Sequence, residues 1–133
     1  MKLTTIDELS IILLPDDLLW EDEFKWMPYE VASEYSASGD AHIVEIFDRA
    51  LGRPITMKSP DSEMAWVTRS TVTTLRTWAA IAGTTYKLVF EYGSDTRTFN
   101  VLILSFEATP VLGFPSHEQD QYFTIDIKMI EVE

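Results

Sequence analysis

The feature that most restricts the fold is a run of alternating apolar residues broken by one tight turn, YKLVFEYGSDTRTFNVLIL. Every second residue from 86 to 92 is apolar, and every second residue is again apolar from 99 to 103. Between these runs, Gly93, Ser94 and Asp95 are turn formers, so the pattern predicts a β-hairpin. Leu102 and Leu104 add a second apolar face, which indicates that the returning strand is covered on both sides.

Several other segments show the same two-residue period. YEVASEYSASGDAHIVEIFD predicts a second hairpin that turns at residues 38–40. QYFTIDIKMIEVE predicts a closing strand with apolar residues on one face and polar residues on the other. Residues 9–14 predict a short strand ended by Pro15, whereas EATPVLGFPSHEQD, with two prolines and a glycine, predicts a loop.

Only AWVTRSTVTTLRTWAAIAG predicts a helix. Ser70 is the expected N-cap, and Gly83 stands where a C-terminal cap belongs. The apolar stripe between them has helical spacing and consists of Val72, Leu75, Trp78, Ala79 and Ala82. With six or seven strands, we expect a mainly β (α+β) fold. It would be a single domain, residues 1–133, of two packed antiparallel sheets, a β-sandwich or barrel, flanked by one α-helix at about 70–82.

The net charge of −12 limits the classes of partner. Such a surface repels phosphate backbones and anionic membranes, which argues against conventional duplex binding. The excess of acidic residues would keep the protein soluble, line a passage through which nucleic acid slides, or mimic nucleic acid. These three alternatives stay open. There is no cysteine, no stretch with the pattern of a secretory signal and no apolar run of membrane-spanning length.

Candidate catalytic chemistry is sparse. There are only two histidines, His42 and His117, and no serine or threonine lies in a recognisable nucleophile context such as a strand-turn-helix elbow. The acidic clusters at residues 16–23 and 117–120 lack the ligand spacing and central glycine of a calcium loop, so solvated carboxylates are the favoured interpretation. We therefore expect no catalytic, cofactor or metal site and no enzyme activity.

Two short stretches carry more information. LLWEDEFKWMPYE concentrates aromatic residues in an irregular segment, where core packing and docking on another subunit are both open interpretations; the residues are Trp20, Phe24, Trp26 and Tyr29. GRPITM begins with Gly52 and Arg53 and suggests an anion-binding loop. However, Pro54 has no N–H to donate and a strand follows it, so the stretch predicts a turn that leads into a strand.

The order of these pieces resembles small tail proteins of long-tailed bacteriophages and prophages, of the type related to distal tail (baseplate hub) and tail-tube proteins. The segments that carry the resemblance most specifically are residues 52–57, 65–70 and 124–132. The resemblance implies a tube-type domain that assembles as a ring, expected to be hexameric, between the tail tube and the tail tip. The carboxylates would then line a channel through which DNA passes without binding.

The resemblance further implies as partners other copies of the chain and the tail-tube, tape-measure and tail-tip or hub proteins, with no membrane partner. It implies assembly in the host cytoplasm and final location in the virion. The subunit-interface candidates are Trp20, Phe24, Trp26, Tyr29, Arg53, Ser94, Asp95, Phe114 and His117. The alternative function is a small acidic inhibitor that mimics nucleic acid and blocks a host protein, and a small hydrolase is a third, less favoured interpretation.

Overall fold

A computed structural model describes residues 1–37, 39, 42–48, 52–111 and 121–132 of the chain. Its strands and single helix follow in chain order: β1 (Lys2–Thr5), β2 (Ile11–Leu13), β3 (Leu19–Trp20), β4 (Tyr29–Tyr35), β5 (His42–Asp48), β6 (Pro54–Lys58), β7 (Val67–Thr68), α1 (Arg69–Ala79), β8 (Thr85–Tyr92), β9 (Asp95–Pro110) and β10 (Tyr122–Glu131). The mainly β class with one helix is confirmed.

Eight of the strands form one antiparallel sheet in the order β2-β1-β8-β9-β10-β6-β3, with β7 paired to β10. The centre of the sheet is β9, which is 16 residues long. Its first half pairs with β8, from Tyr92 opposite Asp95 onwards, and its second half pairs with β10 as far as Phe123 opposite Pro110. One strand therefore runs through both halves of the sheet.

The sheet curls until its distant strands meet. Trp20 on the edge strand β3 stacks on Phe90 of β8, with ring centroids 5.0 Å apart. These strands are four steps apart in the sheet, which in a flat sheet would separate them by about 19 Å. The expected two packed layers are thus supplied by one sheet that folds back on itself like a barrel.

The core lies inside this curl and follows the two-residue period of the strands. Phe123, Ile125, Ile127 and Met129 of β10 are all buried, as are Ile55 and Met57 of β6 and Leu88 of β8. Helix α1 packs on the same core through Leu75, its one buried residue. Trp78 reinforces this contact, because its ring stacks on Tyr86 at 4.9 Å and its carbonyl accepts a hydrogen bond from the Tyr86 hydroxyl at 3.0 Å.

The helix and one loop differ in extent from the sequence prediction. Helix α1 starts at Arg69, because Thr68 and not Ser70 is the N-cap and accepts a hydrogen bond from the Thr71 amide. It ends at Ala79 with Ala80 as the C-cap, whereas the sequence predicted an end at about residue 82 with Gly83 as the cap. The loop predicted from residue 107 starts later, because residues 107–110 continue β9 and pair with β10. Pro110 is tolerated there since it is the last residue of the strand.

The second predicted hairpin is present and stands apart from the large sheet. Strands β4 and β5 pair from Tyr29 opposite Asp48 to Tyr35 opposite His42, and they form a two-stranded sheet of their own. Among the described residues, no other helix or strand packs closely against this hairpin. The predicted turn residues Ser38 and Asp40 lie outside the described residues.

The described residues contain no helix with the length and apolar character that crossing a bilayer requires.

Candidate functional site

Residues 21–28, here named the aromatic loop, connect β3 to β4 and are anchored by one carboxylate. Asp22 accepts hydrogen bonds from the Trp20 indole N–H at 3.0 Å, the Thr56 amide at 2.9 Å and the Thr56 hydroxyl at 3.0 Å. The Lys25 amide donates to the Asp22 carbonyl at 3.2 Å, closing a turn. The loop is therefore held against β6 even though it has no regular secondary structure.

Arg53 also holds the aromatic loop in place. Its Nη2 donates to the Glu23 carbonyl oxygen at 2.8 Å. The guanidinium carbon lies 4.6 Å from the ring centroid of Trp20, and it lies 5.5 Å from Phe99 and 5.7 Å from Trp26. These distances are within the range of cation–π attraction. Arg53 therefore contacts the loop through the Glu23 backbone and the Trp26 ring, and it also contacts the adjacent rings of Trp20 and Phe99.

Arg97 of β9 is a second cation beside the Trp20 ring, 5.3 Å from its centroid. Its Nη2 pairs with the Glu23 carboxylate at 3.1 Å and its Nε with the Asp95 carboxylate at 3.2 Å. Glu23 is thus fixed at its carbonyl by Arg53 and at its carboxylate by Arg97. The loop is preorganised by groups from three separate parts of the chain.

The four aromatic candidates divide between the two interpretations left open by the sequence. Trp20 is buried and belongs to the core, and Trp26 is half-buried. Phe24 is 90% exposed and Tyr29 is 41% exposed. The segment from Trp20 to Tyr29 therefore combines a buried aromatic residue with two that are exposed to solvent, and a docking role for the exposed pair, Phe24 and Tyr29, stays a prediction.

The GRPITM stretch is a turn that leads into β6, as predicted. Gly52 has a φ of +90°, a conformation that L-residues with a side chain rarely adopt. Its amide donates to the Glu131 carbonyl at 3.2 Å, and the Glu131 amide returns a bond to the Arg53 carbonyl at 2.9 Å. Pro54 is the first residue of β6. Arg53 turns onto the aromatic rings, and its contact with another subunit stays a prediction.

A cavity of about 350 Å³ opens beside the aromatic loop. Its polar lining includes Asp16, Glu23, Tyr92 and Arg97. Burial, with a further contribution from the Asp16 carboxylate, raises the pKa of the Tyr92 phenol. The Tyr92 phenol is therefore an O–H donor beside the carboxylates and the Arg97 guanidinium of this lining.

In the acidic cluster at residues 16–23, several carboxylates have structural partners, whereas the cluster at residues 117–120 lies outside the described residues. The Asp16 carboxylate pairs with the N-terminal amino group at 2.9 Å, and Asp17 accepts a hydrogen bond from the Ala65 amide at 3.0 Å. Glu21 pairs with Lys58 at 3.5 Å. Within the described ranges, no three acidic or histidine side chains are grouped as metal ligands.

The remaining interface candidates are less informative. Ser94 and Asp95 are exposed at the turn between β8 and β9, next to the Arg97 ion pairs. Phe114 and His117 lie outside the described residues.

Sequence reasoning missed a second concave surface, which we name the α1 groove. It has a volume of about 510 Å³ and lies between α1, the last part of β9 and the first residues of β10. Its lining includes Arg69, Val72, Arg76, Phe106, Ala108 and Phe123. The sequence could have indicated the helix side of this groove, because Arg69 and Arg76 are seven residues apart and therefore lie on one side of the helix. It could not indicate the apolar floor, because Ala108 belongs to a part of β9 that the sequence predicts to be a loop.

Comparison with family models, with curated proteins and with solved structures found no match to this chain. The phage tail resemblance consequently stays a prediction from sequence pattern, and the geometry of the chain must supply the argument for function.

Proposed function

We propose that this chain is a structural subunit of a long-tailed phage tail or baseplate. In this role it forms a ring, expected to be hexameric, that joins the tail tube to the tail tip and leaves a channel for DNA. The sequence resemblance motivates the proposal. One structural observation carries it further: the hairpin of β4 and β5 forms a sheet apart from the rest of the domain.

A two-stranded hairpin on its own is at best marginally stable in water, and among the described residues no other helix or strand packs closely against this one. At its described ends, this one has a ring stack of Tyr35 on His42 at 4.6 Å, and Tyr35 and Val44 are largely exposed. Covering these side chains would stabilise the hairpin. A ring neighbour supplies such a cover, which makes the hairpin an arm that reaches from one subunit to the next.

The net charge of −12 is consistent with a channel that DNA crosses without adhesion. Carboxylates do not neutralise phosphates, so no counter-ions are released from the DNA. The usual electrostatic gain of DNA binding is therefore absent. We expect that the protein does not slow the migration of duplex DNA in a native gel, even at low salt.

The proposal is tested by deleting the hairpin. Residues 29–48 would be replaced by a short Gly/Ser linker. The segments on the two sides of the excision are in contact, because the Arg53 guanidinium carbon lies 5.7 Å from the Trp26 ring centroid. The deletion variant should retain its β circular dichroism and cooperative unfolding. The intact chain should form rings in light scattering and negative-stain microscopy, and the deletion variant should not.

Addition of tail-tube and tail-tip proteins provides the second arm of this test. An intact chain that forms no rings with them, and that instead binds and inhibits a host nucleic-acid enzyme, would favour the acidic inhibitor over the structural subunit.

A further inference from the structure

We infer that two copies of this chain pair along strand β2, which extends the sheet from one copy to the next across a two-fold axis. Strand β2 (Ile11–Leu13) stands at one end of the sheet order and, among the described strands, pairs only with β1. An edge strand of this kind presents backbone groups with which another strand can pair. The contact goes beyond the proposed ring and does not depend on it, because a two-fold contact closes on itself.

The hydrogen bonds between β1 and β2 define which residues of β2 point their polar groups outward. The Leu14 amide donates to the Met1 carbonyl at 3.0 Å. Bonded and non-bonded pairs alternate in an antiparallel ladder, so Ile12, two residues earlier, also bonds to β1. The N–H and C=O groups of Ile11 and Leu13 therefore point away from β1, and no described residue pairs with them.

The outer side of this edge is open to solvent. Ile11 is 54% exposed and Leu13 is 74% exposed, whereas Ile12 between them is buried. Helix α1 is the one described element besides β1 that comes near β2. It packs on the core through Leu75, which belongs to the same buried cluster as Ile12. The helix therefore lies on the inner side of β2, and water satisfies the outward backbone groups of the edge.

Two copies of β2 satisfy each other's outward groups when they pair in antiparallel orientation. With Ile11 of one copy opposite Leu13 of the other, the two residues exchange both of their N–H to C=O hydrogen bonds, and the two-fold axis repeats this pair. Ile12 then lies opposite Ile12 of the second copy, on the axis. The exposed side chains of Ile11 and Leu13 come to the same face of the extended sheet, where they cover one another.

The ends of β2 identify a second copy as the occupant. The Leu9 amide already donates to the Asp7 carboxylate at 3.1 Å, and Pro15 has no N–H to donate. A partner strand therefore gains bonds only along the three residues of β2 and must present outward groups with the same spacing. The β2 strand of a second copy has that length and that spacing. Residues 9–15 also have no charged side chain in a chain of net charge −12, so neither copy brings an acid within this run.

The size and the charge of the contact predict how it responds to salt. Three paired residues make a small interface, so we expect a weak dimer. The net charge of −12 on each copy opposes association, and salt screens this repulsion without removing the apolar contact. Dimerisation should therefore become stronger as the salt concentration rises, which is the opposite of the response of a contact held by ion pairs.

Sedimentation equilibrium from micromolar to millimolar protein measures this association. Leu13→Glu places a carboxylate on each side of the axis and should weaken dimerisation by at least about 100-fold, since the loss of one buried leucine occurs twice. Leu104→Glu is the matched control, because Leu104 is 63% exposed on β9, a strand that does not contact β2. The control should dimerise like the intact chain, and circular dichroism should show that both variants are folded.

A cysteine experiment tests the register, because the chain contains no cysteine of its own. Ile11→Cys and Leu13→Cys are prepared separately. In the inferred pairing, position 11 of one copy lies opposite position 13 of the other with Cα atoms about 5.5 Å apart, which a disulfide spans. Two copies of the same variant hold their cysteines roughly 9 Å apart, which is beyond that span. Mild oxidation of an equal mixture should therefore link the two variants, and oxidation of either variant alone should not.

Three results would overturn the inference. The first is an intact chain that stays monomeric at millimolar concentration in high salt. The second is a Leu13→Glu variant that dimerises as well as Leu104→Glu, and the third is ready crosslinking of either cysteine variant alone. Dimers with the expected crosslinks but no rings under any condition would count against the proposed function and leave this contact standing.

Discussion

Replacement of Asp22 by alanine is the sharpest test of how the aromatic loop is built. The Asp22 carboxylate accepts three hydrogen bonds, from the Trp20 indole, the Thr56 amide and the Thr56 hydroxyl. Alanine removes the carboxylate that accepts all three bonds and leaves two N–H donors and one hydroxyl donor without this partner. The variant therefore perturbs the link between β3, the loop and β6 without removing an apolar side chain.

The expected cost follows from the number and type of these bonds. Hydrogen bonds to a charged group contribute about 1.5–3 kcal/mol each, but bonds that share one acceptor are not additive. Water can also reach part of this half-buried site. We therefore expect Asp22→Ala to lower the free energy of unfolding by about 3 kcal/mol, a large part of the roughly 5–15 kcal/mol available to a domain.

Urea unfolding followed by tryptophan fluorescence measures this change, with the m-value as a check on two-state behaviour. Glu63→Ala is the matched control, because it removes the same charge from an exposed residue; it should change stability by less than about 0.5 kcal/mol. Asp22→Asn, which keeps one carbonyl acceptor, should fall between the two. A loss below about 1 kcal/mol for Asp22→Ala, at an unchanged m-value, would refute the anchoring argument.

Three further predictions concern the core, the turn and pH. Leu75→Ala removes the one buried residue of α1 and should cost about 2–5 kcal/mol in urea unfolding. Gly52→Ala places a side chain at φ +90° and should cost about 1–2 kcal/mol in the same assay, although open space surrounds the site. Burial raises the pKa of the Tyr86 phenol above its ordinary 10.0, so the neutral form is favoured in the folded state and its stabilisation is complete below that value. Stability should therefore decline as pH rises through and beyond 10.0, and Tyr86→Phe should reduce that decline in thermal melts.

The parts of the fold that sequence predicted are those whose signal is local. The alternation in β10 and in the hairpin of β8 and β9 identified those strands, because the two-residue period directly reports which face is buried. The helix was found because its apolar residues recur at helical spacing, which is also a local signal. Its first residue was misplaced, since Thr68 and Ser70 are chemically similar caps and only the backbone of Thr68 is extended.

The parts that sequence did not predict depend on distant residues. Strand β1 is four residues long and has too few positions to show a period. The stacking of Trp20 on Phe90 joins residues 70 positions apart, and it requires the sheet to curl. The arginine contacts that fix the aromatic loop follow from that curl, so sequence could name Trp20 and Arg53 as candidates without placing them together.

The pairing of β1 with β8 has a consequence for synthesis of the chain. Leu3 lies opposite Leu88, so the first strand must wait while 85 further residues are translated. At about 5–20 residues per second this delay lasts roughly 4–17 s. During that time the apolar face of β1 and β2 has no sheet to join, and a nascent-chain chaperone has a target there. The contiguous strands β8 to β10 pair between near neighbours, and they can form as soon as they emerge from the ribosome.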